Sequence, residues 1–134
     1  MAARSGLRRG VAASAIVLVV IAGLLVHTRL PDSAGSDIAG DALYAAAAYF
    51  AVVLIAPRWQ PPAAGVVAAI WCVGVELFQL TGLPERWGAA FPPVMLVLGT
   101  VFDARDLVVY VGTIAVLAGA DLLLRLVRRR RVRA

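Results

Sequence analysis

The sequence predicts an all-α polytopic membrane protein, a four-helix transmembrane bundle with a short re-entrant or interfacial segment between the third and fourth helices. Three observations carry this. Hydrophobic residues make up 62% of the 134 and charged residues only 16%, against roughly a quarter charged in a soluble domain, so the apolar content exceeds what one small water-soluble core hides. Four apolar runs approach the roughly 20 residues that a bilayer requires. The basic residues, all 13 of them Arg, gather at the two ends and in the middle connection, as they do beside membrane helices.

The spans fall at about residues 11–30, 38–57, 62–82 and 106–127, with a basic tail at 128–134, all in a single transmembrane domain covering 1–134. "LPDSAGSD" is turn chemistry between the first two spans, and "PRWQPP" cannot continue a helix between the second and third. An Arg-bearing start, an apolar stretch and the small residues of "DSAGS" also follow the order of a cleaved signal peptide, but the apolar run is long for one. Between the third and fourth spans, the apolar piece from Pro92 to Phe102 is too short to cross. With Trp87 and Phe91 at headgroup depth and Gly99 to permit a bend, it reads as a lid or re-entrant hairpin.

Orientation follows from charge. Arg4, Arg8 and Arg9 precede the first span, Arg58 sits in the second connection, and Arg125, Arg128 to Arg131 and Arg133 close the chain. Both termini and the middle loop are therefore expected in the cytoplasm, with Asp32, Asp37, Glu85 and Asp103 outside. An all-Arg basic set fits a GC-rich bacterial genome, so the expected location is the bacterial plasma membrane. The sequence pI of about 10.7 does not point to nucleic acid, because the charge flanks apolar helices. Anionic inner-leaflet lipid is the expected partner, with a homo-oligomer or a larger membrane complex as the protein partner. Cys72 is a lone cysteine in mid-span, expected in the core.

Polar residues inside the spans carry the functional expectation, since an ionisable side chain in a bilayer is costly. Glu76 and Gln79, three apart in "IWCVGVELFQLTG", lie on one helix face in the outer half of the third span. Asp41 and Tyr44 head a face of the second span that continues through alanines, a packing surface topped by an acid and a phenol. Asp106, Tyr110 and Thr113 form one stripe on the fourth. The three stripes are expected to converge on one polar site in the outer leaflet. Structural readings compete: Asp106 and Asp41 as helix-terminal caps, and Glu76 hydrogen-bonded between helices or paired with Arg86 or Arg105. Asp121 with Arg125 reads as a local ion pair, and His27 and Arg29 as interfacial residues within reach of headgroup phosphates.

"GDALYAAAAYF", "VELFQLTG" and "VMLVLGTVFDARDLVVYVGTIAV" resemble the successive motifs of a family of small uncharacterised bacterial membrane proteins, a domain of unknown function related to the VanZ-like superfamily. The resemblance runs from Gly40 to about Leu124. It implies a compact four-span bundle whose acids face a common site, carried here onto Asp41, Glu76, Gln79 and Asp106. The VanZ-like group is associated with resistance to the glycopeptide teicoplanin, without a mechanism. This chain departs from the pattern at "GAAFPPVMLVLG", where such proteins carry an Arg, and Arg86 is the nearest equivalent.

Carboxylates, phenols and an amide at a low-dielectric site can bind a small ligand or cation, hold a proton, or hydrogen-bond a lipid headgroup. The expected binding set is Asp41, Tyr44, Glu76, Gln79, Asp106, Tyr110, Arg86 and Arg105, with no metal and no cofactor. No G-x-S-x-G, G-x-x-x-x-G-K, H-E-x-x-H or C-x-x-C occurs, so an enzyme is the less favoured class, an acid–base one acting on envelope glycan or lipid. An accessory subunit of a larger membrane complex is the other alternative.

Overall fold

A computed structural model describes residues 2–133, with side chains from 5 to 131. Arg4 and Arg133 of the charge pattern lie outside the described side chains, and Ala134 of the basic tail outside the described residues altogether. The chain forms α1 (Ala2–Arg29), α2 (Ala34–Ile55), α3 (Pro61–Gln79), the short α4 (Leu83–Ala90) and α5 (Val94–Leu98), and α6 (Ala104–Arg133). No strand occurs among the described residues. Four of the helices, α1, α2, α3 and α6, are long and apolar enough to cross a membrane, and the chain is a multi-pass membrane protein.

Helix ends follow caps rather than hydropathy. α2 starts four residues ahead of its apolar run because Ser33 and Ser36 form a reciprocal capping box, the Ser36 N–H donating to Ser33 Oγ at 3.2 Å and the Ser33 N–H to Ser36 Oγ at 2.9 Å. Pro57 ends it, and Pro61 opens α3 at a position where no N–H is needed. α3 stops at Gln79, short of the expected 82, because Thr81 Oγ1 donates to the Phe78 carbonyl at 2.7 Å and Gly82 turns the chain at φ 68°. α1 and α6 both run beyond the hydrophobic stretch. The Arg-rich end of α6 stays helical to Arg133, since Arg is a good helix former and extending an existing helix avoids the nucleation cost.

α2 is the hub. It packs on α1, α3 and α6, and α3 packs on α6. The buried residues of α3, among them Ala64, Gly65, Ala68, Cys72, Val75, Glu76 and Gln79, recur every three to four positions and make one continuous stripe. Small residues let the backbones close in: a Cβ on Gly65 would lie 3.1 Å from Ala118 and 3.5 Å from Ile114 on α6. Tyr49, Val53, Tyr110 and Ile114 fill the rest of the core, to which α1 adds Ala12. Ile55, Val108 and Val116 point outward for lipid to cover, at 70% exposure or more.

One end of the bundle is tied by Asp121. Its Oδ2 accepts from Arg8 Nη2 of α1 at 2.5 Å and from Tyr49 Oη of α2 at 2.9 Å, and its Oδ1 lies 3.3 Å from Arg125 Nε. Arg8 also donates to the Pro57 and Trp59 carbonyls, at 2.6 and 3.0 Å, and Arg125 to Trp59 at 3.1 Å. The expected Asp121–Arg125 pair is thus part of a network joining α1, α2, α6 and the α2–α3 connection.

Candidate functional site

The opposite end of the bundle is built around the last turn of α3. Glu76 is fully buried and Gln79 is 7% exposed. Both hold the chain that follows. After Gly82 the backbone runs out through α4, turns at Pro92 and Pro93, and comes back as α5. A helix end leaves carbonyls without intrahelical partners, and here side chains from inside the bundle supply them. Tyr44 Oη donates to the Val97 carbonyl at 2.6 Å and Gln79 Nε2 to the Leu98 carbonyl at 2.9 Å. Trp71 Nε1 donates in turn to Tyr44 Oη at 3.1 Å. Five residues after Leu98, the Asp103 N–H donates to Glu76 Oε1 at 2.6 Å. The segment between α3 and α6 is therefore folded back and tied onto the end of the bundle.

Gly99 makes the return sharp enough. Its φ of 63° and ψ of −162° belong to a region that is essentially glycine's alone. The Gln79 amide nitrogen occupies the place where a Cβ would stand.

Beside this segment lies a cleft of about 530 Å³, walled by the C-terminal end of α1, the N-terminal end of α2, the chain from Gly99 to Asp103 and the first turns of α6. Asp41, Gln79, Arg105, Asp106 and Tyr110 all line it. The Asp41 and Asp106 carboxyls face each other within hydrogen-bonding reach. Asp41 of α2 and Asp106 and Tyr110 of α6 thus come together at the cleft, joined from α3 by Gln79. Arg105 spans the carboxylates at the cleft, 3.7 Å from Asp37, 3.5 Å from Asp103 and 3.7 Å from Asp106, each too long for a hydrogen bond.

The helix cap expected of Asp106 is made by Asp103 instead, whose Oδ1 accepts the Arg105 N–H at 2.8 Å. Asp106 sits inside the first turn of α6, and its Oδ1, 3.7 Å from Arg105 Nε, is buried without a hydrogen-bond partner. Asp41 Oδ2, Glu76 Oε2 and Gln79 Oε1 are likewise buried without one. These four residues are the ones onto which the family motifs were carried.

Three members of the expected set lie elsewhere. Tyr44 and Glu76 do not line the cleft; they stand behind it and hold the folded-back segment, with the Tyr44 ring 5.8 Å from that of Tyr110. Arg86 is exposed on α4, away from the cleft, because α4 lies on the outgoing limb of the connection. Glu76 pairs with neither Arg86 nor Arg105; a backbone N–H is its partner. Conversely His27, Asp37 and Asp103 line the cleft without having been expected there. An acid just before "ARDLVV" is a recognisable cap signal for Asp103, whereas nothing in the sequence marks His27 as a wall rather than an interfacial residue. No group of His, Cys, Asp and Glu among the described residues is arranged for a metal ion.

Residues 30–113 match the model of a family described as a protein of unknown function (DUF2809). The matched stretch contains α2, α3, the folded-back segment and the first turns of α6. No curated protein matches the chain significantly. No solved structure does so either.

Proposed function

The chain belongs to the DUF2809 family, which supplies no activity, and we propose from the geometry that it holds the polar end of a small ligand or lipid headgroup in the carboxylate-lined cleft. The observation that carries this is the coincidence of an accessible cleft with buried polar atoms that no protein group satisfies, on Asp41, Gln79 and Asp106. Leaving such an atom unpaired costs about 1–3 kcal/mol, so several at one place mark a site whose partner comes from outside the chain. A volume of about 530 Å³ is within the range of about 300–1,000 Å³ usual for small-molecule sites.

The Arg distribution supports a bacterial plasma-membrane protein with both termini in the cytoplasm, which turns the cleft toward the outer leaflet. The resemblance to the VanZ-like group agrees with an envelope-facing site. The folded-back segment is then the outer floor of the cleft, docked by Tyr44, Glu76 and Gln79.

The test is native mass spectrometry of the full chain released from mild detergent. The wild type is expected to retain a small molecule or lipid that the double variant Asp41→Asn, Asp106→Asn loses while keeping its helical content. The same bound species at the same occupancy in both proteins would place the ligand elsewhere.

A further inference from the structure

We propose that the group held in the cleft is a primary ammonium; this rests on reading the cleft as a ligand site. The four unsatisfied oxygens have a common chemistry. Gln79 is oriented by its Nε2, which donates to the Leu98 carbonyl at 2.9 Å, and the flipped amide would set two oxygens against each other. Its free atom is therefore the carbonyl Oε1. Glu76 spends Oε1 on the Asp103 N–H and leaves Oε2. Asp41 Oδ2 and Asp106 Oδ1 complete the set. All four can accept; the Asp41 and Asp106 carboxyls also lie within hydrogen-bonding reach of each other, so a proton they share must leave before both accept from a ligand.

With that proton gone, an acceptor-only site selects its ligand by exclusion. Phosphate, sulfate and carboxylate groups would bring more acceptors and like charge to Asp41 and Asp106. A hydroxyl offers one donor and no charge. Arg105, the resident cation, is 40% exposed and ion-pairs with Asp37, Asp103 and Asp106 at 3.5–3.7 Å, but it forms no such pair with Asp41. Its contact with Asp106 Oδ1, at 3.7 Å, is too long for a hydrogen bond, and Asp41 Oδ2 and Gln79 Oε1 are not in an ion pair with it. An ammonium carries three N–H donors and one positive charge, enough for Asp41, Asp106 and Gln79 together. A quaternary ammonium has no N–H and is bound through aromatic faces instead, so it leaves these oxygens unsatisfied.

Two sources bring a primary ammonium to an outer-leaflet cleft, the ethanolamine headgroup of a phospholipid and a free amine. The experiment uses the full chain in nanodiscs of phosphatidylcholine or of phosphatidylethanolamine with the same acyl chains, and reads the thermal midpoint against added ethanolamine, choline or glycerol. In phosphatidylcholine discs ethanolamine is expected to raise the midpoint and choline at equal concentration to leave it unchanged. Asp106→Asn should weaken the apparent ethanolamine affinity about tenfold or more, the loss of one charge-assisted hydrogen bond. A higher midpoint in phosphatidylethanolamine discs, with little further response to ethanolamine, identifies the lipid as the source; an equal response in both discs identifies the free amine. Choline as effective as ethanolamine, or glycerol effective alone, would overturn the ammonium while leaving a cleft that binds ligands. No response to any of the three in wild type also overturns it, and the mass spectrum then decides separately whether the cleft holds another ligand.

Discussion

A carboxylate with no exposure, three residues from the end of an apolar helix, persists because one of its oxygens replaces a missing backbone partner. Glu76 Oε1 accepts the Asp103 N–H at 2.6 Å where the chain leaves the folded-back segment, and an unpaired N–H there would cost about 1–3 kcal/mol. Glu76→Gln keeps an oxygen for that bond and is expected to stay within about 1 kcal/mol of wild type in a reversible detergent-unfolding titration. Glu76→Leu orphans the Asp103 N–H and should lose about 1–3 kcal/mol in the same titration. Equal stability of the two variants would show that the hydrogen bond contributes nothing. Glu76 was legible in the sequence because an apolar span offers a carboxylate no solvated face, and its partnership was not, because a backbone N–H carries no residue identity. Asp106 shows the reverse. Its polar stripe was visible, but whether it or Asp103 caps α6 depends on where the chain turns, which hydropathy does not record.

At the scale of elements, the short apolar run from Pro92 to Phe102 was long enough to be noticed and too short to cross, and its length alone argued for a re-entrant or interfacial piece. What holds it was hidden, since the ties come from α2 and α3 at sequence separations of 53 for Tyr44–Val97 and 19 for Gln79–Leu98. Gly99 is the point where segment and bundle meet. Gly99→Ala places a methyl group on the Gln79 amide and a side chain in a glycine-only conformation, at a cost of about 1–3 kcal/mol. Because undocking the segment avoids most of that cost, the change is expected as faster hydrogen exchange across Leu96–Asp103 with α2 and the middle of α6 still protected. Uniformly faster exchange over the whole bundle would mean that the segment is an integral part of the core. At the far end Arg8, expected only as one of the charges that flank the first span, also bridges α1 to Asp121 across 113 positions. No local pattern could reveal that contact. Asp121→Asn should destabilise the bundle by about 1.5–3 kcal/mol, the value of hydrogen bonds to a charged group, measured by thermal unfolding in lipid.

For the whole molecule, the two ends differ in charge and in what their charges do. Arg8 and Arg125 are held by Asp121, so among the described side chains the positive charge of that end not paired with an acid rests on Arg9, Arg58 and Arg128 to Arg131, all exposed. α6 has 30 residues and is about 45 Å long at 1.5 Å per residue, against a hydrocarbon core of about 30 Å. Its basic turns therefore stand clear of the apolar layer, where each Arg gains about 1 kcal/mol beside anionic lipid. The cleft end carries Asp32, Asp37, Glu85 and Asp103 with only Arg29, Arg86 and Arg105 for balance. That asymmetry predicts that the basic end is cytoplasmic and the cleft opens outward. Single cysteines at Ala89, exposed on α4, and Gln60, exposed before α3, sit at opposite ends, and the native Cys72 is fully buried and should be silent. With an impermeant thiol reagent on intact cells, Ala89→Cys should label at once and Gln60→Cys only after permeabilisation. The reverse pattern would turn the cleft toward the cytoplasm, move its ligand from outer-leaflet or periplasmic amines to cytosolic ones, and leave the chemistry of its acceptor oxygens as it is.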